Sequence, residues 1–150
     1  MKSSHSPAGK SINADPTPEE LSALLGPLKA HERILQLREI YGSRLVASSS
    51  FGLQASAMLH LIRKHAPDIP IIFVDTGYCF PETYQFSQAF IEDWELDIRV
   101  FNPAISAARQ EALYGKLWEQ SAEGNKKYAL LNKVEPMNRA LSEIGGDVWV

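Results

Sequence analysis

Three consecutive serines, Ser48-Ser49-Ser50, followed by Phe51-Gly52, are the residues in this chain best placed to do chemistry. An apolar run ends just before them and a helical pattern opens at Leu53. A strand, a tight turn and a helix in that order make an anion site. The first amides of a helix lack intrahelical acceptors, and the helix dipole favours negative charge there. Serine hydroxyls add further donors. A second turn, Asp75-Thr76-Gly77, closes another apolar run, Ile69 to Val74. The single cysteine, Cys79, lies just beyond it. One cysteine allows no intrachain disulfide and no CxxC pair, which fits a cytoplasmic location. No Lys, Arg or His flanks Cys79 in sequence to lower its pKa, so it reads as a small packed hydrophobe. The four histidines, His5, His31, His60 and His65, lack metal-ligand spacing, and no metal site is expected.

These turns need elements to position them. Thr17-Pro18-Glu19-Glu20 is a helix start, with a cap, a first-turn proline and two acids that complement the dipole. Gly26-Pro27 breaks that helix, and a second runs to about Tyr41. Leu45 to Ala47 predicts a short strand. Leu53 to His65 predicts a helix with Ala55, Met58, Leu59 and Ile62 inward. Ile69 to Val74 reads as a strand buried on both faces. Pro81 starts a helix whose apolar face is Phe86, Phe90, Ile91 and Trp94. Leu96 to Phe101 is a third strand, and Ala104 to Leu113 is helical. Tyr114 to Asn125 carries no decisive pattern. Lys133 to Ile144 is helical, with Val134, Met137, Leu141 and Ile144 in register, and Asp147 to Val150 begins a fourth strand. Strands alternating with helices predict a three-layer α/β/α fold with a mainly parallel sheet. Ligands in such sheets bind outside the carboxyl ends of the strands, where both turns lie.

Bulk properties narrow the function. The 150 residues, 45% hydrophobic and 22% charged, are those of one soluble domain. Residues 1–17 read as a flexible leader without a secretory core, and 18–150 as the domain. No run approaches the roughly 20 apolar residues of a membrane span. The net charge of −3 argues against nucleic acid as a partner and requires any anion site to be local.

Two common nucleotide loops are excluded. The only Gly-Lys-Ser, Gly9-Lys10-Ser11, falls in the leader without strand or helix context, and a dinucleotide fingerprint needs three spaced glycines. The serine turn instead resembles the Ser-Gly-Gly-x-Asp-Ser pyrophosphate loop of the adenine nucleotide alpha hydrolase superfamily. Phe51, Gln54 and Ala55 replace its first glycine, its aspartate and its final serine. Loss of the carboxylate argues against magnesium-assisted ATP cleavage, since that ion wants hard oxygen ligands.

Four blocks, in order, resemble the phosphoadenylyl-sulfate (PAPS) reductases: Ser48 to Ala55, Asp75 to Tyr84, Tyr114 to Gln120, and Asn132 to Leu141. The resemblance implies an adenine nucleotide alpha hydrolase-like fold, truncated at the C-terminus. It implies reduction of PAPS to sulfite and adenosine 3′,5′-bisphosphate, with thioredoxin or glutaredoxin as electron donor. Ser48, Ser49, Ser50, Phe51 and Gly52 would hold the sulfate or phosphate end, and Asp75, Thr76 and Gly77 would border the adenosine. Lys116 and Lys133 would supply charged donors to a buried phosphate. Trp118 packs either near this site, in the core or at a dimer interface; the family is often dimeric. Adenylyl-sulfate reductases carry a Cys-Cys pair for an iron–sulfur cluster where this chain has Tyr128 and Ala129, so no cofactor is expected. The family's nucleophilic cysteine sits in a Glu-Cys-Gly-x-His motif that these residues do not contain. The expectation is therefore a fragment, inactive alone and without a catalytic residue. A nucleotide-binding remnant without turnover, an adenylyl-sulfate reductase and an ATP-using superfamily member stay open as alternatives.

Overall fold

Thr17 starts the first helix with a capping box. Its hydroxyl accepts from the Glu20 amide at 3.2 Å, and the Glu20 carboxylate accepts from the Thr17 amide at 2.8 Å. The computed structural model describes residues 15–150. Residues 1–14 of the expected leader therefore lie outside the described residues. Helix α1 covers Pro18–Leu25 and, after the Gly26-Pro27 break, α2 covers Ala30–Tyr41. A short 3-10 turn, Gly42–Arg44, leads into β1, Leu45–Ser48. Then follow α3 (Ala55–His65), β2 (Ile71–Val74), α4 (Pro81–Asp93), β3 (Ile98–Phe101) and α5 (Ala107–Tyr114). The stretch without a decisive pattern forms α6 (Leu117–Gln120) and the first half of α7 (Ala122–Ala129). A π-helical turn, Leu130–Val134, joins α7 to α8 (Glu135–Ile144), and β4 is Val148–Trp149.

The four strands form one all-parallel sheet in the order β3-β2-β1-β4. Side chains alternate across it, as the pleat dictates. Leu45, Ala47, Ile71 and Phe73 face one way, into a core with Ile34 and Tyr41 of α2, Leu59 and Ile62 of α3, and Phe90 of α4. Val46 and Ile72 face the other way, against Ala140, Met137, Leu141 and Ile144 of α8. Burial on both faces makes Ile71-Ile72-Phe73 a continuous apolar run instead of an alternating one. The three-layer α/β/α architecture is therefore as expected.

Three local expectations are corrected. Helix α3 opens at Ala55, not Leu53, and Leu53 is left exposed in the turn before it. Met58 is exposed instead of inward, because α3 buries only the narrow stripe of Leu59 and Ile62. Val134 is also exposed. It lies in the π-turn, whose extra residue resets the helical phase, so the register that holds for Met137, Leu141 and Ile144 does not extend back to it.

Candidate functional site

The ends of β1 and β2 meet the π-turn and α8 around a crevice of about 540 Å³. This is the size and place expected for a small-ligand site in an open parallel sheet. Its walls are mostly apolar: Ile72, Phe73 and Val74 from β2, Val134 and Met137 from the opposite side, and the Trp149 indole. Polar groups come from Ser48, Ser49, Ser50, Thr76, Tyr128, Lys133 and Asn138. Among the described residues, Lys133 is the one charged residue of the lining, and no carboxylate joins it. An apolar slot with a few hydroxyls and one ammonium suits a flat, partly apolar ligand that carries an anionic group.

The backbone explains the serine turn. Ser48 ends β1 and pairs with Ile72 of β2, and the Ser49 amide donates to the Ile72 carbonyl at 3.0 Å. The chain then leaves the sheet. The Ser49 hydroxyl accepts from the Phe51 amide at 3.1 Å. The Ser48 hydroxyl accepts from the Trp149 indole N–H at 2.9 Å, which leaves its own proton free to donate. Among the described residues, the amides of Gly52, Leu53 and Gln54 find no acceptor, as at the entry of a helix.

Not every residue singled out in the sequence reaches the crevice. Ser48, Ser49, Ser50, Thr76 and Lys133 line it; Phe51, Gly52, Asp75, Gly77 and Lys116 do not. Phe51 is buried, edge-on to Phe73 with ring centroids 4.9 Å apart, and so forms the floor under the turn. Its φ of +53° is the left-handed conformation that a glycine would adopt freely. Asp75 is engaged in holding its own turn. Its carboxylate accepts from the Gly77 amide at 2.8 Å, the Tyr84 hydroxyl at 2.7 Å and the Asn102 side-chain amide at 3.0 Å. Burial and then that bond to Asp75 push the Tyr84 phenol up to about 12. Gly77 approaches the Ala107 side chain closely, with φ +77°. Lys116 pairs with Glu119 at 3.6 Å on the surface.

Several lining residues carried no prior assignment as ligands. Tyr128, Asn138, Met137 and Trp149 come from the α7–α8 segment and β4. Tyr128 is held by an aromatic cluster, with Trp118 at 5.3 Å and Tyr78 at 5.8 Å between ring centroids. Trp118 and Tyr78 themselves meet edge-on at 4.6 Å, and the Tyr78 hydroxyl donates to the Ala107 carbonyl. Burial, reinforced by Glu111, raises the Tyr78 pKa. Trp118 thus stands behind the site wall. Cys79 also lines the crevice and is half-buried. No described helix is long and apolar enough to cross a membrane.

Comparison with known proteins converges on one family. Residues 44–150 match the phosphoadenosine phosphosulfate reductase domain. The chain is 51% identical over 146 residues to the phosphoadenosine 5′-phosphosulfate reductase of Pectobacterium carotovorum, covering 93% of this chain and 60% of that protein. It is 49% identical over 144 residues to the reductase of Yersinia enterocolitica, covering 92% and 59%. The chain therefore spans about 60% of the length of the curated relatives it matches. A crystal structure of phosphoadenylyl-sulfate reductase from Candida auris, a phosphate complex, superposes with a TM-score of 0.76 at 27% identity, covering 91% of this chain and 68% of that one. That likeness fits the adenine nucleotide alpha hydrolase-like fold. With the match running from the start of β1 to the last residue of the chain, and so through every residue that lines the crevice, the chain belongs to the phosphoadenosine phosphosulfate reductase domain family.

Proposed function

We propose that this chain supplies the nucleotide-binding part of a reductase that converts 3′-phosphoadenylyl sulfate to sulfite and adenosine 3′,5′-bisphosphate. The observation that carries this reading is the lining of the crevice: among the described residues, three serines and Lys133 line an otherwise mostly apolar slot, and no carboxylate joins them. The adenine lies between β2 and α8. The sulfate or phosphate groups take the Ser48, Ser49 and Ser50 hydroxyls and the Lys133 ammonium. Thr76 borders the nucleotide directly. Asp75 and Gly77 act at one remove, by fixing the turn that presents it.

The reaction needs a thiolate. In the full reaction a cysteine thiolate attacks the sulfur of the activated sulfate. An S–S bond forms, the S–O bond to the nucleotide breaks, and adenosine 3′,5′-bisphosphate leaves. The dithiol of thioredoxin or glutaredoxin then reduces the S-sulfonate, releases sulfite and becomes a disulfide. Tyr128 and Ala129 offer no thiolate, so this reading includes no iron–sulfur cluster at that place. Cys79 is not in the Glu-Cys-Gly-x-His context of the family nucleophile. In this reading it packs the crevice wall.

Titration calorimetry of the chain with adenosine 3′,5′-bisphosphate tests the proposal. Saturable one-to-one binding is expected. Lys133→Ala should weaken it about tenfold, roughly 1.4 kcal/mol, whereas Lys116→Ala should leave it unchanged. Absence of binding, or equal losses from the two lysine variants, would sink the assignment of the crevice.

A further inference from the structure

Two long polar side chains are buried where nothing in the described chemistry requires them. Gln110 in α5 and Asn132 in the π-turn are each almost completely inaccessible, at 1% and 0% exposure. They satisfy each other. Gln110 Nε2 donates to Asn132 Oδ1 at 2.6 Å, and Asn132 Nδ2 donates to Gln110 Oε1 at 2.9 Å. The second hydrogen on Asn132 Nδ2 goes to the Tyr128 carbonyl at 3.1 Å. A carbonyl only accepts, so that bond fixes which way the Asn132 amide points and, through it, which way Gln110 points. A reciprocal pair of this kind is directional. It tolerates one rotation of the helix segment that carries Asn132, whereas an apolar pair of similar volume would tolerate several.

That segment is the π-turn, where the Glu135 amide donates to the Leu130 carbonyl five residues back. The wide turn has a consequence for the crevice. Tyr128 and Lys133 both line it, yet they are five residues apart. On a regular α-helix such residues point roughly 140° apart, so one of them would face away. Hydrogen bonding to the fifth residue brings positions five apart onto one side. The Lys133 ammonium accordingly lies 5.9 Å from the centroid of the Tyr128 ring. Helix α5 also braces the turn that follows Thr76, since the Ala107 carbonyl receives the Tyr78 hydroxyl and the Ala107 side chain closes on Gly77.

We propose that Gln110 and Asn132 are positioning residues for anion binding: their amide pair locks the π-turn in the one register that sets Lys133 beside Tyr128 in the crevice. The proposal rests on the functional reading above, in which Lys133 holds an anionic group of the nucleotide.

The test compares the full chain with Gln110→Leu/Asn132→Leu, with Lys133→Ala, and with the triple variant. Binding of adenosine 3′,5′-bisphosphate is measured by calorimetry, and folding by circular dichroism. The double leucine variant should fold and bind about tenfold more weakly, a loss close to that of Lys133→Ala. The triple variant should bind no more weakly than Lys133→Ala alone, because the pair acts only through that lysine. Wild-type affinity in the double variant, or losses that multiply in the triple variant, would overturn the proposal. If the double leucine variant does not fold, Gln110→Met, which conserves volume, takes its place with the same expectations. A second readout needs no nucleotide. Reductive dimethylation gives Lys133 an NMR signal, assigned by its loss in Lys133→Ala, that should carry a ring-current shift from Tyr128. That shift should vanish when the pair is removed, and its persistence would also overturn the proposal. Failure of the wild-type chain to bind nucleotide would count against the functional reading alone, leaving the NMR shift to decide the positioning role.

Discussion

Phe51 shows how a single residue can break a sequence pattern while keeping its backbone. In the superfamily loop a glycine stands at this place, and here the chain retains a glycine-like φ of +53° with a phenylalanine. A left-handed conformation costs a non-glycine residue about 1–2 kcal/mol. Burial of the ring against Phe73 and Phe90 outweighs that, since truncating a buried phenylalanine costs about 3–5 kcal/mol. The substitution therefore turns the turn's sharpest point into an anchor in the core. Phe51→Ala should destabilise the chain by about 3 kcal/mol in urea unfolding. Phe51→Gly should be less harmful than Phe51→Ala by about 1 kcal/mol, because it loses the same packing but regains the left-handed conformation at no steric cost. At an ordinary φ the order is reversed, so finding glycine the worse of the two would disprove the account.

Among the elements, the segment from α6 to α8 controls the mouth of the crevice. It is not one continuous helix pattern, and that is why its first part resists reading from sequence. Ser121 caps α7 by accepting from the Gly124 amide at 3.0 Å, and α6 packs directly against α7 through that glycine. A side chain on Gly124 would place its Cβ 2.3 Å from the Leu117 carbonyl oxygen. Leu117 is buried and next to Trp118, which supports Tyr128. Gly124→Ala must push α6 away from α7, at a cost of about 2 kcal/mol in thermal or urea unfolding. Trp118 should move with it, and its fluorescence should shift towards that of a solvated indole. An alanine variant with unchanged stability and emission would show that the two helices are not in close contact.

Across the whole molecule, protection should follow the depth of the sheet. Strands β1 and β2 are central and covered on both faces, whereas α1 buries no residue at all. Local opening free energies track buried apolar contact. In hydrogen exchange the amides of Ala47, Ser49 and Ile71, which bridge the central strands and their neighbours, should be among the slowest in the chain. Those of α1 should exchange by local fraying. Equal protection of α1 and β1 would mean that the first helix packs against something beyond the contacts described.

How much of this was legible before folding depends on the range of the interaction that decides it. The capped first helix, the strand–turn–helix around Ser48 to Ser50 and the parallel three-layer architecture follow from contacts a few residues apart and from apolar periodicity, both of which are written locally. Lys116 and Lys133 look alike by that standard, each a lysine in a polar stretch. Tertiary structure separates them, since one pairs with Glu119 at the surface and the other enters the crevice through the π-turn. Asp75 and Phe51 likewise sit in the right turns but serve them from behind, because Tyr84, Asn102, Phe73 and Phe90 come from distant elements to claim them. Sequence by itself determined where the turns fall and that they share one edge of the sheet. Which side chains face the crevice was decided by packing between elements, because orientation depends on helix register and on partners far along the chain.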